Sequence, residues 1–164
     1  MTIFATNGAK LYIGGAMAAT SVDLVQGDFS GQTANWKEIG EVEGLGSLGD
    51  TSAEISFDPV NRRRTKRLKG NRSAGTMEVV CGIDYADEGQ LALIAAEKTD
   101  AEHAFKLVLN DAPSGGTPSE RYFVALVGSA GEAFDAANSV MKLNASLWVN
   151  SNIVRVNAAA GGGS

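Results

Sequence analysis

Two stretches of strict alternation frame the middle of the chain. Ala53, Ile55 and Phe57 alternate with Ser52, Glu54, Ser56 and Asp58, and Met77, Val79, Cys81 and Ile83 alternate with Thr76, Glu78, Val80 and Gly82. A period of two puts the apolar set on one face of a pleat, predicting two half-buried strands. Between them, from about Pro59 to Gly75, the alternation lapses, predicting a long connecting arm.

Elsewhere the pattern is mostly β. Lys10 to Ile13 reads as a short first strand, and residues 14–35, rich in Gly, Ala, Ser and Thr, as a loop or weak edge. From Trp36 to Leu48 the pattern is strand-like but drifts in phase. Ile39 and Val42 cannot share one face of a regular strand, which predicts a bulge near Gly40. Residues 87–98 are the one predicted helix. Asp87 with Gln90 three residues on resembles a capping box, and Leu91, Ile94, Ala95 and Lys98 recur at helical spacing. So short a helix is marginal alone and must dock on a sheet.

The second half is β again. Phe105, Leu107 and Leu109 alternate, Ala112 to Ser119 is turn-rich, and Arg121 to Gly128 is apolar on both parities, as in a strand covered on both faces. Met141, Leu143, Ala145, Leu147 and Val149 make a long alternating strand, and Ile153 to Val156 a short last one. About seven strands and one helix predict a mainly β chain of α+β type: a sandwich or barrel with a flanking helix and a long strand-connecting arm. The expected division is one domain over residues 1–157, with the arm at about 59–75, and a disordered Ala/Gly tail at 158–164.

Charge changes this picture. The chain has 164 residues, 14 Lys+Arg and 19 Asp+Glu, for a net charge of −5. Seven of those cations (Arg62, Arg63, Arg64, Lys66, Arg67, Lys69 and Arg72) lie in the arm, with no acid among them. The remainder carries 7 Lys+Arg against 19 Asp+Glu, a net −12. An acidic body thus bears a basic arm. A pI of about 4.9 speaks against general nucleic-acid binding, whose footprint is a basic domain, though not against binding by the arm. No run approaches a membrane span, and the N-terminus lacks the marks of a signal peptide, so synthesis in a reducing cytoplasm is expected.

Signals for chemistry are weak. Gly44-Leu45-Gly46-Ser47-Leu48-Gly49 spells G-x-G-x-x-G, but the dinucleotide fingerprint requires a helix straight afterwards, and a strand pattern follows; it reads as a Gly-rich turn. His103 is the only histidine and enters a strand, and Cys81 alternates with core residues, so neither suggests a nucleophile or base. One Cys and one His cannot make a zinc site. Asn71-Arg72-Ser73 and Asn144-Ala145-Ser146 are sequons without meaning in the absence of a secretion signal. No cofactor, no metal and no enzymatic activity are expected.

The arm admits three readings: a solvated loop, a phosphate-binding arm rewarded by counterion release, and a device for self-association. Its interleaved residues, Thr65, Leu68, Gly70 and Asn71, include no aromatic for base stacking. Separated charge of both signs makes copies mutually attractive in a defined orientation, which favours self-association.

The order of elements supports that choice. Trp36-Lys37-Glu38-Ile39-Gly40-Glu41-Val42 leads into strand, arm and strand, followed by Asp84 to Leu93 (DYADEGQLAL), His103 to Asn110 (HAFKLVLN) and Arg121 to Val127 (RYFVALV). Over roughly residues 3–156 this resembles the major tail tube protein of long-tailed, lambda-like bacteriophages. The resemblance implies a β-sandwich flanked by a helix, joined into six-membered rings through a continuous inner β-barrel and stacked into a tube. It further implies an arm reaching neighbouring subunits and rings, a tape-measure protein inside during assembly, terminator and baseplate partners, DNA passing without specific binding, no membrane, and residence in the virion tail.

An acidic bore would repel phosphate and keep a duplex off the wall. The candidates are Glu41, Glu43, Glu54, Asp58 and Glu78, read as the polar faces of the central strands. Two alternatives stay open: a tube protein of a contractile injection or type VI secretion system, and a monomeric domain binding nucleic acid through its arm.

Overall fold

The chain's alternating segments become, in a computed structural model that describes residues 3–20 and 22–161, ten strands and one α-helix. They are β1 (Lys10–Ala16), β2 (Lys37–Ile39), β3 (Val42–Gly44), β4 (Thr51–Phe57), β5 (Lys66–Ser73), β6 (Thr76–Gly82), α1 (Glu88–Glu97), β7 (His103–Val108), β8 (Glu120–Ala133), β9 (Lys142–Val149) and β10 (Val154–Val156), with a 3-10 turn at Gln26–Gln32. Eight strands form one open antiparallel sheet in the order β2-β1-β7-β8-β9-β6-β3, with β10 beside the start of β8. The mainly β fold with one flanking α-helix is the one the pattern predicts.

The long β8 divides the sheet into two leaves. Its first half, to Ala125, pairs with β7, and its second half pairs with β9 across a register shift between Val127 and Ser129. One leaf is therefore β2-β1-β7 with the start of β8, and the other is β3-β6-β9 with its end. Their inner faces share a single core that includes Leu11, Ile13, Met77, Val79, Phe105, Phe123, Leu143 and Leu147, closed by Leu93 and Ala96 of α1. Phe105 and Phe123 stack with centroids 5.4 Å apart. Each large side chain buried in this way stabilises by roughly 1.5–3 kcal/mol. A second, smaller core explains why β8 is apolar on both parities: Tyr122 and Val124 face outward against Leu24 and Phe29. Part of the segment read as a loop thus serves as a cover.

The phase drift around Gly40 is not a bulge. Ile39 ends β2 at one edge of the sheet and Val42 begins β3 at the other, with only Gly40 and Glu41 between them. Three residue steps reach at most about 11 Å, so the sheet curls until its two edges nearly meet. Glu41 makes the corner in the left-handed region (φ 56), and its carbonyl accepts from Gly82 N at 2.8 Å.

The helix starts where expected but buries another face. Asp87 caps it, accepting from Gln90 N at 2.9 Å and from Gly40 N at 3.0 Å. The buried positions are Gly89, Gln90, Leu93 and Ala96, whereas Leu91 is exposed. The reason is steric: a Cβ on Gly89 would lie 2.1 Å from the Glu38 carbonyl oxygen, so only a bare backbone lets the helix come this close. Gln90, 2% exposed, donates through Nε2 to the carbonyls of Gly40 (3.0 Å) and Gly82 (2.8 Å) and accepts from Asp84 N (3.0 Å).

The arm is also built differently from the expectation. Lys66 to Ser73 is a strand, and β4 pairs with it alone, not with β6. Because β4 leaves the sheet, Ala53, Ile55 and Phe57 reach no core. At the far end, Thr117 N donates to Ala159 O at 2.9 Å and Ala158 N to Ser119 Oγ at 2.9 Å, so the chain stays tied to the body at least to Ala159. The last part of the Ala/Gly tail, 162–164, lies outside the described residues.

Candidate assembly surfaces

The leaf β3-β6-β9-β8 has one buried and one open face. Met77, Val79, Ala145 and Leu147 point into the core; Thr76, Glu78, Asn144, Trp148 and Ser129 stand on the outside. Nothing among the described residues covers that face. Its chemistry is mostly polar and small, apart from Val80 and from Trp148, whose indole packs against Gly128, where a Cβ would sit 2.2 Å from it. Glu43 pairs with Lys142 at 2.8 Å, and Glu78 accepts from Ser146 Oγ at 2.8 Å. The pairing holds the Lys142 ammonium protonated beyond its ordinary range, first through its hydrogen bond to Glu43 and then through the charge of that carboxylate.

Both edges of this leaf are unpaired among the described residues. β3 bonds only to β6, and β8 beyond Ala125 bonds only to β9. Exposed edges are templates for pairing with another chain. Four antiparallel strands also alternate in direction, so the first and last run opposite ways. A neighbouring copy set edge to edge would therefore continue the sheet antiparallel.

The β4–β5 hairpin stands off the body, its strands packing on each other and on no other element to any extent. Its register puts Ile55 opposite Leu68 and Phe57 opposite Lys66 on one face, and Glu54 opposite Lys69 and Ser56 opposite Arg67 on the other. Ile55, Phe57 and Leu68 are 50%, 59% and 61% exposed. One face is thus apolar and bare, the other charged. Arg67 pairs with Glu54 (3.2 Å) and Arg72 with Asp50 (2.9 Å), so two of the seven cations are used within the chain. Arg62, Arg63, Arg64, Lys66 and Lys69 form no ion pair among the described residues, and the three arginines crowd the tip.

The five acidic candidates occupy two places. Glu43 and Glu78 lie on the open leaf and Glu41 at its corner, while Glu54 and Asp58 went with the hairpin when β4 left the sheet. Gly46, in the G-x-G-x-x-G stretch, has φ +62, and a Cβ there would come within 2.7 Å of the Glu78 carbonyl oxygen. The run leads into β4, and of its glycines Gly46 alone is required by the close passage past β6. His103 opens β7 with Nδ1 3.1 Å from Ala101 O. Cys81 is buried, and desolvation first, with the charge of Asp87 second, raises its thiol pKa to about 11.

Sequence reasoning missed an apolar patch where α1 begins. Tyr85, Leu91, Phe134 and Met141 are each about half exposed or more there. Tyr85 and Leu91 line the same shallow hollow as Asp84 and Glu132, and Ile83 N bonds Met141 O at 3.1 Å. Leu91 recurs at helical spacing with Ile94 and so reads as part of the docking face, which hides the patch.

In sequence no family model and no curated protein matches the chain. In structure it is similar to the SPP1 tail tube solved by solid-state NMR and cryo-EM, with a TM-score of 0.63, 15% identity, and 93% of this chain and 77% of that one covered. The sheath/tube terminator of the extracellular contractile injection system PVC gives 0.67 and 10% identity over 95% and 98% of the two chains. The tube terminating cap of the anti-feeding prophage gives 0.66 and 12% identity over 96% and 93%. The chain therefore has the fold of tail tube and injection-system tube proteins, in agreement with the resemblance read from its residues.

Proposed function

We propose that this chain is a structural, non-enzymatic subunit that builds the tail tube of a bacteriophage. One observation carries the reading: a four-stranded leaf with an open polar face and two unpaired edges of opposite direction. Six copies joined edge to edge close a barrel of 24 strands, and strands about 4.8 Å apart and tilted about 40° give a backbone diameter of roughly 48 Å. Side chains subtracted, a DNA duplex fits. Closure also removes every exposed edge of the leaf.

The open face becomes the lining. Glu43 and Glu78 against Lys142 leave one net negative charge per copy, and small polar residues such as Asn144, Ser146 and Ser129 offer a duplex little to hold. Glu41 adds charge at one rim. The arm cations Arg62, Arg63, Arg64, Lys66, Arg67, Lys69 and Arg72 serve contacts between copies. A tape-measure protein inside the tube, terminator and baseplate proteins at its ends, and assembly in the bacterial cytoplasm complete the reading.

Negative-stain microscopy of the purified protein tests it. Hollow rings or tubes with a duplex-wide bore are expected, and a particle that stays monomeric at every concentration and ionic strength overturns it. The injection-system neighbours favour a second reading, a tube within a contractile sheath. Binding of a sheath protein to the outer wall of assembled tubes would select that one. A salt-sensitive monomer–DNA complex in gel shifts, without rings, would instead select nucleic-acid binding by the arm.

A further inference from the structure

Asparagine is least durable where a glycine follows it, because a residue without a side chain leaves its backbone nitrogen open to close approach. Asn7 precedes Gly8, whereas every other asparagine of the chain precedes a larger residue. The structure leaves both partners free. Thr6 to Ala9 form a tight turn closed by Ala9 N donating to Thr6 O at 3.0 Å, with Gly8 in the left-handed region (φ 91). That bond uses neither the Asn7 carboxamide nor Gly8 N. Both residues are exposed, and neither of those groups has a hydrogen-bond partner among the described residues. The turn is held by its backbone instead, Asn110 Nδ2 donating to Asn7 O at 3.0 Å. Asn7, Gly8 and Ala9 share one hollow with Val42, Glu43 and Gly44, the residues of edge strand β3.

We propose that Asn7–Gly8 is a self-modifying site, which makes the β3 edge of an unassembled subunit more acidic as it ages. Gly8 N gives up its proton to solvent base and attacks Asn7 Cγ. The new N–Cγ bond closes a five-membered succinimide while the Cγ–Nδ2 bond breaks, and the amide nitrogen leaves as ammonia. Water then adds to one of the two ring carbonyls and breaks its bond to the ring nitrogen. One opening gives aspartate, and the other gives isoaspartate, with the backbone rerouted through the side chain. Nucleophile and electrophile are already joined, so no encounter entropy opposes the closure. Either product puts a carboxylate into the hollow that holds Glu43, the partner of Lys142 at 2.8 Å. The edge that β3 must meet on the next copy, the end of β8, carries Glu132, so the added charge repels where pairing has to occur. Isoaspartate also lengthens the turn by one methylene and displaces the carbonyl that Asn110 holds. The effect on assembly rests on the tube reading, but the chemistry does not. A neighbour seated along β3 covers the hollow, so assembled copies should be spared.

The test is to incubate the full chain, dilute and unassembled, in mildly alkaline buffer, then digest it with trypsin and weigh the peptides. The peptide Met1–Lys10 is expected to gain the mass of an amide-to-acid exchange at least about tenfold faster than any peptide holding another asparagine. An isoaspartyl methyltransferase should label it, and the gain should be slower in tubes. Asn7→Gln, whose closure would need a six-membered ring, should stay unmodified and assemble normally. Asn7→Asp, which carries a product from the start, should raise the concentration needed for rings about two- to fivefold, more at low salt than at high. An Asn7 that stays intact, or converts no faster than the other asparagines, overturns the site. Rings of Asn7→Asp appearing at the same concentration as those of the unaltered protein overturn its role in assembly. Absence of any ring or tube from the unaltered protein overturns the tube reading instead, and the mass gain at Asn7 still decides the site.

Discussion

Gln90 is where removing a few atoms should cost most. Its amide joins three segments at one buried point: the β2–β3 corner through Gly40 O, the end of β6 through Gly82 O, and the approach to α1 through Asp84 N. Gln90→Ala keeps helix propensity and deletes all three bonds. An unsatisfied buried polar group costs about 1–3 kcal/mol, and water entering the vacated space at this shallow hollow recovers part of that for the two carbonyls. Summed, the expected loss is about 3 kcal/mol. For a chain of this size each kcal/mol lowers Tm by about 2–4 °C, so the midpoint should fall by roughly 6–12 °C. Differential scanning calorimetry at neutral pH and low protein concentration, where assembly does not contribute, measures it. Gln90→Glu should fare no better, since it keeps the acceptor for Asp84 N but confronts two carbonyl oxygens with a carboxylate. A fall of less than about 2 °C for Gln90→Ala would refute the claim that this amide holds the sheet edges and helix together.

Gly89→Ala should destabilise by about 1–3 kcal/mol in urea titration, because its methyl would have to displace the Glu38 carbonyl and the helix with it. The Cys81 thiol, raised to about 11, should resist a thiol-specific reagent at pH 8 in the native protein and react promptly once unfolded. Asp111 accepts from Ser119 Oγ (2.6 Å) and Ser119 N (2.7 Å), and these bonds hold its carboxyl below its ordinary value of 3.8. A depressed carboxylate stabilises fully above that value and loses its contribution as pH falls through the folded-state value, so the stability gap between wild type and Asp111→Asn should narrow only below about pH 3.8. Replacing Arg62, Arg63 and Arg64 by Ser should leave the unfolding midpoint of the unassembled protein within about 0.5 kcal/mol while impairing polymerisation seen by microscopy.

The body of this fold was legible because its strands obey the period-2 rule on a real core: Met77, Val79 and Cys81, or Leu143, Ala145 and Leu147, are buried as their alternation requires. The misreadings share a cause. Ile55 and Phe57 alternate just as cleanly, yet no core of their own chain receives them, because a pattern declares that a face will be covered and not by which molecule. Gly40 reads as a bulge because one sequence position cannot reveal that its two neighbours lie on opposite edges of a curled sheet. The helix face followed Leu91 and Ile94 since apolar size guides the eye, whereas Gly89 and Gln90 decide docking by closeness and hydrogen bonding. The candidate acids divided for the same reason: Glu54 and Asp58 follow β4 wherever it pairs.

The two proposed contacts differ in strength, and the difference orders assembly. Ile55, Phe57 and Leu68 are already half shielded, so covering them fully gains about half the usual 1.5–3 kcal/mol each, some 3 kcal/mol per arm. Exposed ion pairs add about 0–1 kcal/mol apiece. Association of two free molecules costs about 4–15 kcal/mol in lost motion, so a single arm leaves two monomers only weakly held. Six arms between two closed rings meet that cost once and act in concert. Ring closure through the leaf edges must therefore come first, and free monomer should not polymerise by its arms. Light scattering on diluted protein checks this: below the concentration at which rings appear, no growth should occur at any salt, and above it growth should set in sharply. Chains of monomers linked through their arms, seen without rings, would reverse that order.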